Sequence, residues 1–264
     1  MSGPEHKSHP TASEYSAAVA RLAAAREAIE PQFRSASDSG DLAAGKRLFA
    51  ELQKEFAMFT AFRDGIPAAV RLSINAERIL ESFSVAVDTG LKARVLSLFG
   101  VNPMETVSLT IPADISDRDA MHALNLKSRE LFPDKKRAAI VESDIQEILS
   151  CGGASSTTRS GRREIKVIGV VDGTVAQNLW EQDKVLKEKG LVFSHPIDQA
   201  LAAAAFACTQ GGKNLFENKY VRGSVPGFAL CSYQSLGVRV RRFNDEDDIS
   251  VVAASGSPSP GIKK

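Results

Sequence analysis

Between Arg163 and Thr174 the chain reads Arg-Glu-Ile-Lys-Val-Ile-Gly-Val-Val-Asp-Gly-Thr, and no other stretch limits the fold as tightly. Ile165, Val167, Ile168, Val170 and Val171 set five β-branched side chains within seven positions. Such residues lose rotamer freedom in a helix and pack well on a pleated surface, and a run with little alternation suits a strand covered on both faces. Asp172-Gly173 ends the run, and helix-like sequence follows over Val175–Lys189. The expected unit is strand, tight turn and helix. It places Asp172 at the carboxyl end of strand 163–171, where open α/β sheets bind ligands.

The amino-terminal sequence has a different period. Thr11 and Glu14 have capping-box spacing, and Tyr15, Ala18, Leu22, Ala25 and Ile29 recur at helical intervals before Pro31 closes the segment. After a small polar loop at Ser35–Gly40, a second stripe runs Leu42, Gly45, Phe49, Leu52, Phe56, Phe59, and Asp64-Gly65-Ile66-Pro67 breaks it. Two stripes of similar length joined by a short loop predict an antiparallel helical hairpin. The first helix is rich in alanine, so Leu42, Phe49, Leu52, Phe56 and Phe59 carry more apolar surface than it can cover. These five are the candidate interaction residues, to be covered by the rest of the chain or by another polypeptide.

Farther along, Pro67–Phe99 reads as interrupted helix, although Phe83, Val85 and Val87 alternate as a strand would. Thr106–Ile111 alternates cleanly, Ser116 is placed to cap a helix over Asp117–Leu131, and Ala138–Leu149 suits a short helix. Pro196 opens a second alanine-rich helix with the stripe Ile197, Leu201, Ala204, Cys208, and Gly211-Gly212 stops it. Phe228–Gln234, Val238–Phe243 and Ile249–Ala253 read as a carboxyl-terminal β-meander. The expectation is an α+β (or mixed α/β) protein: a tail at 1–10, a helical region at 11–100 and a sheet-containing domain at 105–254. A Gly/Ser linker at 150–161 interrupts that domain, and a second tail occupies 255–264.

A formal net charge of +1 gives no global attraction to nucleic acid or anionic membrane. Cys151, Cys208 and Cys231 are far apart and never in Cys-x-x-Cys spacing, so neither a disulfide framework nor a metal site is indicated. With no secretory pattern and no apolar run of membrane-spanning length, a cytoplasmic protein is expected, with no cofactor.

Several motifs fail on context. Gly40-Asp-Leu-Ala-Ala-Gly45-Lys46-Arg47 matches Gly-x-x-x-x-Gly-Lys, but no strand precedes it and Arg47 stands where the magnesium-binding hydroxyl belongs. Val170–Thr174 is similar over five residues to the first motif of haloacid-dehalogenase-type phosphatases. Val170 occupies the place of the nucleophilic aspartate, so no function carries over. His195, before a helix with Asp198 in its first turn, is a candidate base but more simply a helix cap, since no matching nucleophile stands in a recognised context. Cys151 with His122 or His195 would make a thiol pair, but Cys151-Gly152-Gly153 after a helix is more simply a C-cap.

The leading reading is therefore a non-enzymatic interaction or structural protein, with a protein partner or a second copy bound through the amino-terminal helices. An alternative places a small anionic or phosphorylated ligand near Asp172, Thr174 and His195, with Arg162 or Arg163 as charge partners. A second alternative is nucleic-acid binding through Arg159–Lys166 and Arg239–Arg242, in which Arg239 and Arg241 share one face of a strand.

Overall fold

The computed structural model describes residues 10–87, 105–133, 139–151, 161–171, 174, 177–216, 220–233, 237–242 and 250–254. The expected linker and tails fall almost wholly outside them. Seven helices and eight strands occur among the described residues, an α+β arrangement with helices first and most strands later. The chain divides into two compact units, Met1–Ile74 and Asn75–Lys264.

In the first unit, α1 (Ala12–Asp38) and α2 (Leu42–Asp64) form the expected hairpin, and α3 (Ala68–Glu81) begins beside them. Thr11 and Glu14 make the capping box in full, and Asp41 caps α2 through the Ala44 amide. Pro31 does not end α1, which continues through it to Asp38. The lost backbone bond is offset by packing, because the turn beyond Pro31 delivers Ala36 into a cluster with Ile29 and Leu48. The reversal is therefore shorter than expected, and Gly40 makes it with a φ of 71°, a conformation that favours glycine. At the open end of the hairpin Tyr15 meets the rings of Phe59 and Phe62 at 6.0 and 6.1 Å, joined by Ile66 and Ile74. Arg21 grips Glu55 across the hairpin through two hydrogen bonds of 2.9 and 3.0 Å.

In the second unit, β1 (Ser84–Val87), β2 (Glu105–Ile111) and β3 (Arg163–Val170) pair antiparallel in sequence order, so the alternation at Phe83–Val87 marks a strand. β5 (Tyr220–Arg222), β6 (Phe228–Tyr233) and β7 (Gly237–Arg242) form a second antiparallel set. The expected meander holds for β6 and β7 only. β8 (Ser250–Ala254) leaves β7 and inserts between the two sets, antiparallel to β3 and to the short β4 (Val192–Phe193) and parallel to β5. The strand order is β1-β2-β3-β8-β5-β6-β7. In this position β8 satisfies two strand edges that would otherwise be left bare.

The far edge of β7 is closed as well. Ile140 bridges Val238 in parallel, and the buried Asn125 side chain bonds both the N–H and the C=O of Ile140, at 2.7 and 2.9 Å. Asn125 lies on α4 (Asp117–Leu131), and α5 (Glu142–Ser150) follows the bridge directly, so the helix predicted from Ala138 starts later. α6 (Leu179–Glu188) likewise begins later than predicted, with Asn178 and Glu181 as a second capping box.

β3 is covered on both faces, as its composition required. Ile165 and Val167 enter the main core, while Ile168 and Val171 pack with Leu186 of α6, Leu191 and Phe193. The main core is built on α7 (Pro196–Thr209), which packs on the sheet with one side and on α4 and α5 with the other. Replacing Asn125 by Ala removes both partners of a buried backbone amide and carbonyl. It should destabilise the protein by about 2–3 kcal/mol in denaturant titration; a change below about 0.5 kcal/mol would mean the bridge is not held by this side chain.

Candidate functional site

The six residues of the predicted stripe on α2 do not share one environment. Leu52 packs with Ile29, Ala36 and Leu48, and Phe59 packs with Tyr15, so these two serve the hairpin's own interior. Leu42, Phe49 and Phe56 are 77, 53 and 59% exposed. The division follows from helix geometry. The buried line of α2 runs through Ala44, Leu48, Leu52, Phe59 and Phe62, whereas Leu42, Phe49 and Phe56 recur every seven residues along the adjacent flank. The apolar arc of α2 is thus wider than one neighbouring helix can cover, and α1 takes the inner part. Leu48, which the predicted stripe omits, is the most deeply buried residue of α2.

Beside that flank, Phe33 of α1, itself 42% exposed, approaches Leu42 and Phe49. The three side chains wall a groove of about 320 Å³, with Gly45 in its lining and Lys46 at its edge. The surface is apolar, bounded by charge and built on two capped helices. Ser37 and Asp41 also line it, and Asp41 is the α2 cap, its carboxylate accepting from the Ala44 amide at 3.0 Å.

The residues predicted for ligand chemistry are committed elsewhere. Asp172 lies outside the described residues, and the sheet rule that singled it out does not apply here: both neighbours of β3 run antiparallel to it. Thr174 is fully buried; its hydroxyl donates to the Val171 carbonyl and its backbone carbonyl accepts from the Gln182 side-chain amide at 3.0 Å, a turn-fixing role. His195 caps α7, its Nδ1 accepting from the Ile197 amide at 3.2 Å. Arg163 forms an ion pair of 2.7 Å with Asp117 in the first turn of α4, and that carboxylate is 1% exposed. Arg162 is exposed.

For the arginine clusters, Arg239 pairs with Asp144 at 3.5 Å while the same carboxylate accepts from the Val240 amide at 2.9 Å. Arg242 pairs with Glu147 at 3.0 Å and lies 5.6 Å over the Phe228 ring. Both pairs fasten β7 to α5. Arg241 is on β7, its side chain outside the described residues. Three strands separate β3 from β7, so Arg162, Arg163 and Lys166 do not adjoin the second cluster in the sheet.

The thiols of Cys151 and Cys208 are poorly suited to nucleophilic attack. Burial foremost, with Glu147 nearby, pushes Cys151 up to about 12, and burial does the same to Cys208. Both stay protonated at neutral pH, and Cys151 donates to the Glu147 carbonyl at 3.3 Å. His122, the other base considered for Cys151, lies 3.0 Å from Glu142. Among the described residues no group of three or more His, Cys, Asp or Glu is placed to hold a metal ion, and no helix is long and apolar enough to cross a membrane.

Compared with protein-family profiles, curated proteins and solved structures, the chain matches none.

Two outcomes follow from these placements. Replacing Arg163 by Ala leaves a buried carboxylate without its guanidinium and should cost about 3 kcal/mol or more, whereas Arg162→Ala should stay within about 0.5 kcal/mol, both read by denaturant unfolding. Equal effects would refute a structural role for Arg163. In the hairpin, hydrogen bonds from Arg21 hold the Glu55 carboxyl below its ordinary range. Its contribution is therefore present above the unfolded-state value and is lost as pH falls through the depressed one. The difference in thermal midpoint between the native chain and Arg21→Ala should be greatest near neutrality and shrink below about pH 4; a difference independent of pH would exclude this pair as its cause.

Proposed function

We propose that this chain is a non-enzymatic interaction protein that binds a second copy of itself through the outer flank of α2. The observation that carries the reading is the exposure of Leu42, Phe49 and Phe56 at seven-residue spacing on a helix whose other apolar side is already occupied by α1. Exposed leucines and phenylalanines scattered singly need no explanation, but here three recur in register along one flank, and Leu42 and Phe49 share a groove with Phe33 of the neighbouring helix. Burying one such side chain is worth about 1.5–3 kcal/mol, so a partner covering all of them on both copies has a driving force of useful size even after the cost of association.

A second copy suits the patch by its charge. The exposed residues flanking it on the side away from α1 are Lys46 and Gln53, which carry one charge between them, and Arg63, next in the seven-residue line after Phe56, is paired with Asp64 at 3.0 Å. A face that is nearly neutral and lengthwise repetitive can lie against itself without opposing like charges, as an isologous contact requires. The alternatives, an anionic ligand near Asp172 and His195 or nucleic acid on the arginine clusters, have less support. Thr174, His195, Arg163, Arg239 and Arg242 are engaged in caps, turns and ion pairs.

Sedimentation equilibrium of the full chain at tens of micromolar should give a mass above the 28.3 kDa of one copy. The double substitution Phe49→Gln with Phe56→Gln should return it to the monomer with helicity unchanged. A wild-type chain that is monomeric at every concentration would reject the reading.

A further inference from the structure

The groove between α1 and α2 has an unusual lining residue. Gly45 is the fourth residue of α2, at the end of its first turn, where glycine lowers helix propensity relative to alanine. Helices keep such a residue when a neighbouring group needs the room, yet a Cβ placed on Gly45 would meet no atom of this chain within 4 Å. Its φ is not in the left-handed region either. Neither the chain's own packing nor its backbone conformation therefore calls for glycine here. What the missing side chain does produce is a notch near the start of α2, walled by Phe33, Leu42 and Phe49 and bordered by Ser37, Asp41 and Lys46.

The same flank carries a matching projection. Phe56 is 59% exposed and stands eleven residues beyond Gly45 on the same helix, a separation of about 16 Å along the axis. A notch and a knob displaced along one helix cannot meet within one copy, but they meet twice when two copies run antiparallel.

We infer that Phe56 of each copy inserts into the Gly45 notch of the other, the two α2 helices running antiparallel about a two-fold axis near residues 50 and 51. This rests on the reading that the outer flank of α2 binds a second copy. The register follows from one pairing. If Gly45 faces Phe56, then Phe49 faces Leu52 and Leu42 faces Phe59, which is the alternation of heptad positions expected of antiparallel helices. Leu52 and Phe59 are half-buried and keep an outward part available for that contact. Along the outer flank, Lys46 comes nearest to the uncharged Gln53 of the other copy. The contact is closed, since each knob fills the hole that its own partner presents, and it leads to a dimer instead of a filament. A parallel pairing would set Gly45 against Gly45 and leave two facing cavities.

Gly45→Phe supplies the test because the space around it is open to the monomer. It should fold with unchanged or raised thermal midpoint and weaken self-association about tenfold or more, as should Phe56→Ala, both measured by sedimentation. Combined in one chain, Gly45→Phe and Phe56→Ala restore a knob opposite a hole and should recover association to within about threefold of wild type. If wild type self-associates and Gly45→Phe is silent, or if the double variant stays as weak as the worse single one, the antiparallel register is overturned while the interaction reading stands. If wild type does not self-associate, both are lost.

Discussion

The second unit depends on a helix buried over most of its surface. In α7 Ile197, Leu201, Ala204 and Phe206 are all buried, and so are the intervening alanines, so the segment cannot exist at a surface. Its position fixes what surrounds it: a sheet against one flank and α4 and α5 against the other. Alanine makes this geometry accessible, because small side chains let a helix axis come close to two layers at once. The penalty for enclosing a helix is that its first amides are enclosed too. His195 accepts from one of them, and the Gln199 amide spans Ser194 and the Arg222 carbonyl at 2.7 and 3.1 Å. Gly223 completes the seat, since any Cβ there would come within 3.0 Å of Pro196 and the Ser194 carbonyl.

Polar side chains in this unit act mainly as fasteners between elements. Asn125 holds the bridge at Ile140, Asp144 holds β7, and Arg163 with Asp117 holds the start of β3 to α4. Each is buried or nearly so, where an unmade hydrogen bond is expensive and a made one specifies a single arrangement. This explains why residues that look chemical in the sequence do no chemistry in the fold. A histidine, a threonine and several arginines near a strand end suggest a ligand site until their partners are known, and those partners are backbone amides, carbonyls and carboxylates of the same chain.

Local signals in the sequence were therefore good guides and long-range ones poor. The capping box at Thr11–Glu14, the strand at Thr106–Ile111, the Ser116 cap and the doubly covered β3 depend on residues within a turn or two, and all are present. What sequence periodicity could not supply was pairing. Nothing in Ile249–Ala253 distinguishes a strand beside β7 from one inserted between β3 and β5. Pro31 failed as a stop because packing of Ala36 outweighs one missing backbone bond. The stripe on α2 failed more instructively. A three-four spacing identifies an apolar arc but not where along that arc a partner docks, and a shift of one residue moves the contact by about 100°.

That shift gives the two units opposite relations to water. The second unit encloses most of a helix, while the first leaves a line of large apolar side chains outside, although Leu48, Leu52 and Phe59 already give α1 a sufficient partner. Folding of the hairpin does not require Leu42, Phe49 or Phe56, since none of them joins its buried clusters, and any of them could be polar at no cost to the packing seen in the monomer. Nor does folding require Gly45, which lowers helix propensity without relieving any crowding. Large residues where small or polar ones would serve, and a glycine where alanine would serve better, are opposite departures from what the isolated hairpin needs. Both resolve under a single condition, a second apolar surface that presents a projection at the glycine and a hollow at the phenylalanine, and the chain itself carries such a surface.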